Sequence, residues 1–188
     1  NGISRIATRI ITVGNKSGIA DYYSLADAIA SLNGEESTTN PIGSASISNP
    51  VIIEFTSGEH DLTHQNIIIP DGIIIRGQGD STVLISGYLT CGSASASASA
   101  SGSITSSMIS NNNFSDLVLK NTIISINNAS SAKFHRLTAK GEPRIFLTTS
   151  KNIEFIDCNF QTNAGVIISK NSNFIIDHCD LSARYGPV

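Results

Sequence analysis

The sequence predicts an all-β chain wound as a single-stranded parallel β-helix, and two observations carry that prediction. The first is a line written twice, 21 residues apart. Asn152-Ile153-Glu154-Phe155-Ile156-Asp157-Cys158-Asn159-Phe160 and Asn173-Phe174-Ile175-Ile176-Asp177-His178-Cys179-Asp180-Leu181 agree in their apolar positions, their cysteines and their leading asparagines. Fixed self-similarity at such a period marks stacked repeats, each too short to close a core alone. The second observation is that the β-branched runs from Val51 onward have no helical segment between them long enough for a βαβ crossover. Parallel strands must then arise by winding, each turn laying its strand beside the last.

The first element is a strand at Ile10 to Val13, followed by a loop from Gly14 to Ala20. A helix begins after Ser24, with Ser24 as N-cap, Asp27 at the third helical position and an apolar stripe of Leu25, Ala28, Ile29 and Leu32. Asn33-Gly34 ends it, and Glu35 to Pro50 is a long polar surface loop. Strands follow at Val51 to Phe55, Ile67 to Ile69, Ile73 to Ile75 and Val83 to Ile85. They are separated by Ser57-Gly58, Pro70-Asp71-Gly72 and Gly77-Gln78-Gly79-Asp80.

In the doubled line, Ile153, Phe155, Cys158 and Phe160 alternate, break at Ile156-Asp157 and alternate again. This is two short strands meeting at a two-residue corner, with those four side chains inward and Glu154 and Asn159 outward. The line fits twice more upstream, with Leu117, Leu119, Thr122 and Ile124 inward, and with Ala132, Phe134, Leu137 and Ala139 inward. That register places Asn121, Arg136, Asp157 and His178 on one polar corner column, and demands a very tight turn between Leu117 and Ala132.

The strand, the helix Ser24-Leu25-Ala26-Asp27-Ala28-Ile29, and then Ile67-Ile68-Ile69-Pro70-Asp71-Gly72-Ile73-Ile74-Ile75-Arg76-Gly77-Gln78-Gly79 resemble the opening of the pectin lyase-like superfamily. The resemblance implies a right-handed parallel β-helix, in which the helix covers the exposed end of the first turn. The expected organisation is one domain over 1–188. Residues 1–50 hold the strand, capping helix and loop, residues 51–188 hold the β-helical turns, and the whole helix is expected to make roughly six to seven turns. The Ser/Ala run at 92–103 reads as a loop ejected from a turn.

The line Asn173-Phe174-Ile175-Ile176-Asp177-His178-Cys179 also resembles a pectate lyase signature of the form Val-Trp-Ile-Asp-His. The resemblance implies that Asp177 is a calcium ligand and His178 a structural neighbour. Ile175 stands where that signature has tryptophan, and Arg184 lacks the surroundings of a catalytic arginine. One carboxylate is also a poor calcium site. The corner offers a plainer account: Asn and Asp tolerate unusual backbone angles, and their side chains satisfy turn amides. The reading therefore assigns no catalytic, cofactor-binding or metal residue, and calcium enters only under a lyase alternative.

Other chemistries lack their residues. No paired carboxylates with glycosidase motifs occur, Gln161 and Asp157 alone do not make a pectinesterase-like set, and His60, His64, His135 and His178 have no metal-ligand spacing. Gly77-Gln78-Gly79 is not followed by a helix, so it is not a phosphate loop. Cys91, Cys158 and Cys179 form no disulfide framework; Cys158 and Cys179 read as small buried hydrophobes stacked on successive turns.

The totals agree with this picture. Hydrophobic residues make up 40% and charged residues 14%, with net charge −3 and mean hydropathy +0.07. The core is sizeable and the surface is built from Ser, Thr and Asn. The absence of a basic run argues against nucleic acid and acidic membrane surfaces as partners, and no apolar stretch reaches membrane-spanning length.

Composition and the missing catalytic set point to a non-catalytic structural or adhesive protein, extracellular or on a cell surface or virion, with a polysaccharide as a candidate partner. The alternative is a polysaccharide lyase or tailspike-like depolymerase. The final turn ends in apolar residues, so self-association or a further domain is expected to cover it.

Overall fold

The computed structural model describes residues 9–15, 19–32, 44–91, 111–163 and 165–183. They form a parallel β-helix with three faces, entered through one short helix. Strands are numbered in chain order. The first face carries β1 (Arg9–Val13), β2 (Val51–Phe55), β5 (Ile73–Arg76), the first half of β8 (Asn111–Lys120), the first half of β10 (Ser131–Lys140), β12 (Ile153–Ile156) and β15 (Phe174–Asp177). The second carries β3 (Gly58–Asp61), β6 (Thr82–Ile85), the second halves of β8 and β10, β13 (Asn159–Thr162) and β16 (Asp180–Ala183). The third stacks β4 (Asn66–Ile69), β7 (Tyr88–Cys91), β9 (Ile123–Asn127), β11 (Arg144–Thr148) and β14 (Ile167–Lys170).

Every pairing between these strands is parallel and in register, so each inward position becomes a column. One column runs Ile11, Ile53, Ile75, Phe114, Phe134, Phe155, Ile176. Its three phenylalanines stack with centroids 5.4 and 4.7 Å apart and rings within 8° of parallel. Because identical shapes repeat at the strand spacing, like residues pack on like, and each fully buried ring contributes on the order of 2–3 kcal/mol of transfer free energy.

The helix α1 (Leu25–Ala30) forms where its cap and apolar stripe place it. Ser24 is extended and its Oγ accepts the Asp27 amide at 3.2 Å, while Leu25, Ala28, Ile29 and Leu32 are buried. Its end falls at Ser31, and the Asn33-Gly34 stop lies outside the described residues, as do the Ser/Ala run at 92–103 and Arg184.

Three expectations need correction. Among the described residues five complete three-sided turns are present with a partial one at each end, where roughly six to seven turns were expected. The stretch after Ser57, read as a separator, contains β3, whose polar Gly-Glu-His-Asp sequence hides a strand with only His60 turned fully inward. The register around Leu117 was shifted: Leu117 pairs with Leu137 and Phe114 with Phe134, so the repeat is 20 residues and no unusually tight turn is needed. The inward assignments themselves hold, since Leu117, Leu119, Thr122 and Ile124 are all buried.

Candidate functional site

The corner between the first and second faces gathers the residues that carried the catalytic resemblance. Pairing places Gly77, Asp116, Arg136, Asp157 and His178 one above another. Asn121, expected in this column, lies instead at the next corner, where its Oδ1 accepts the Glu142 amide at 2.8 Å. Asp116 takes its place.

The backbone explains why the column is polar. Asp116, Arg136, Asp157 and His178 all have positive φ, between 50° and 56°. This conformation costs a side-chain-bearing residue about 1–2 kcal/mol, least for Asp and Asn. At Gly77 the constraint is proximity, because a Cβ there would come within 2.4 Å of the Asp116 carbonyl.

Every charged member is engaged. Asp116 receives Arg136 Nε at 2.5 Å and Nη2 at 2.8 Å, and this guanidinium holds the Asp116 carboxyl below its usual range. Arg136 Nη1 lies 2.9 Å from the ring nitrogens of His135, whose Nε2 is 3.1 Å from Asp157 Oδ2. One turn higher, His178 Nδ1 is 2.8 Å from its neighbour Asp177. The result is an alternating ladder of carboxylate, guanidinium, imidazole and carboxylate along an exposed edge, where each pair contributes roughly 0–1 kcal/mol.

A second device closes the corners from inside. The residue after the positive-φ position turns inward and carries a hydroxyl or thiol directed at the carbonyl two residues back. Thr122, Ser150, Ser172, Cys158 and Cys179 all do this. Cys179 Sγ also lies 3.3 Å from the Cys158 amide, as Ser172 Oγ accepts from Ser150 at 2.9 Å. Both thiols are free, stacked on successive turns as expected, and burial pushes Cys158 up to about 12. They act as serine-like bolts.

Asp157 and Asp177 each face a histidine, and among the described residues no three of His, Cys, Asp and Glu converge to share a metal ion. Gln161 donates to Asp180 at 2.6 Å, apart from Asp157. His60 is buried in β3 against Phe55, and His64 sits at a positive-φ turn. Sequence reasoning overlooked Asp116 and the pairing of His135 with Asp157; aligning Asn112-Asn113-Phe114 with Ala132-Lys133-Phe134 would have found the first. No family model, curated protein or solved structure matches the chain.

Proposed function

We propose that this chain is a non-catalytic structural or adhesive β-helix of the pectin lyase-like kind, exposed outside a cell or on a virus or phage particle and facing polysaccharide. The observation that supports the reading is the corner ladder: Asp177, the one carboxylate that resembles a lyase site, lies against its neighbour His178, and Asp116 and Asp157 are paired with Arg136 and His135 of adjoining coils. Among the described residues no three of His, Cys, Asp and Glu converge, so the ladder offers calcium too few oxygens. In this reading the rod continues at its last coil through self-association or a further domain.

The test is an absorbance assay for unsaturated products from polygalacturonate with calcium. No product is expected, from the wild type or from Asp177→Ala. A robust signal lost in Asp177→Ala would overturn the proposal in favour of a polysaccharide lyase.

A further inference from the structure

The inner side of the corner between the first and second faces carries one more column. Leu117 pairs with Leu137, and the pairings of Thr138 with Asn159 and of Asn159 with Asp180 continue it to Cys158 and Cys179. Leucine fills the position in two coils and cysteine in the next two, so packing alone does not call for a thiol. Hydrogen bonding does not call for one either, since Thr122, Ser150 and Ser172 make the same inward contact at other corners with a hydroxyl. What sets a pair of cysteines apart is that their thiols can be oxidised to a disulfide.

Their placement suits that bond. Stacked positions on neighbouring coils lie about 4.8 Å apart, inside the Cα range of disulfides. Cys179 Sγ reaches back to the Cys158 amide at 3.3 Å. Cys158 Sγ lies 3.4 Å from the carbonyls of Phe134 and Ile156, and Cys179 Sγ lies 3.2 Å from that of Asp177. A thiol is a weak donor, so these contacts exchange readily for a covalent bond. The two Cβ atoms must draw in to within about 4.5 Å. The last coil can yield that far, because among the described residues no strand is stacked beyond β15 and β16. Cys158 is 2% exposed, whereas Cys179 is only partly buried.

We propose that Cys158 and Cys179 are a redox pair, whose oxidised form is a disulfide that bolts the last two described coils together. The oxidant is a small-molecule disulfide of the glutathione type. Cys179, the accessible thiol, attacks first as its thiolate, forms a mixed disulfide and releases one glutathione. Cys158 then attacks Cys179 Sγ and releases the second. Two protein thiols are oxidised and one glutathione disulfide is reduced, while the two cysteine protons pass through solvent to the released glutathiones. Burial raises the Cys158 thiol to about 12, so the second step is the slower one and quickens as pH rises. Cys91, fully buried on the third face, takes no part. The proposal goes beyond the adhesive reading and does not depend on it.

Peptide mapping of the folded, full chain after incubation with glutathione disulfide at about pH 8.5 tests this. The expected product is a Cys158–Cys179 link within one molecule, with Cys91 still a thiol, and dithiothreitol should reverse it. Cys158→Ser keeps a hydroxyl at the corner and should stop at a glutathione adduct on Cys179. Cys179→Ser should take up no glutathione, since Cys158 is buried. A wild type that stays a dithiol, stops at the Cys179 adduct or links only between molecules would overturn the proposal. So would an equal yield of links to Cys91, the pattern of an unfolded chain.

Discussion

The two ends of the described rod present the same inward columns under opposite conditions. At the first coil, Ile11 and Val13 are each 1% exposed, covered by a helix whose own apolar stripe is buried. At the last, Ile176 belongs to the same column as Ile11 yet is 38% exposed, and Leu181 is 50% exposed. Phe174, Val166 and Phe160 join them around an apolar hollow of about 310 Å³. The difference teaches that a column is not a core by itself. Each coil is buried only by the coil or lid above it, because stacked repeats draw their stability from nearest-neighbour interfaces.

Truncating that column at two heights gives the largest expected contrast. Phe134→Ala, in the middle of the ring stack, should lose about 3–5 kcal/mol in urea denaturation. Ile176→Ala, with one side open, should lose less than about 1 kcal/mol. Equal losses would mean that the last coil is covered in solution.

A second measurement addresses what covers it. If the rod continues by self-association, sedimentation velocity of the wild type will show concentration-dependent species, and the double variant Ile176→Ser with Leu181→Ser will sediment as a monomer. A wild type that stays monomeric at all concentrations would count against self-association.

The smallest effect distinguishes the ends by pH. His60 lies near the helix-covered end, and burial lowers its pKa below the usual 6.5. The folded state therefore resists protonation more than the unfolded chain does. Its contribution is fully present above the unfolded pKa and declines as pH falls from there through the folded value. His60→Phe should flatten that part of the stability profile, while the wild type softens as pH falls below the usual 6.5.

Much of this fold was legible because its signals are local. Ser24 and Asp27 mark a helix start whatever the chain does later, and Ile153, Phe155, Cys158 and Phe160 show two short strands and their corner by alternation alone. Where the reading slipped, the signal was weak or shared. Gly58 to Asp61 is polar, and its strand character comes from pairing with β6. Leu117 and Leu119 alternate like Ala132 and Phe134, so apolar pattern alone could not choose the register, and the Phe114–Phe134 contact did.

The candidate site divides in the same way. Asp157 and His178 were recognisable as corner residues from the doubled line, since a repeat of 21 residues brings equivalent positions into one column. The partner of Asp157 and the rest of the ladder were not, because Asp116, His135 and Arg136 meet only when 20-residue and 21-residue coils are stacked and their long side chains reach across the corner. By itself the chain determined a winding β-helix, its capping helix and its inward residues, because period and propensity are properties of neighbours along the chain. Tertiary structure decided the register and the charge ladder, because those depend on which coil lies against which.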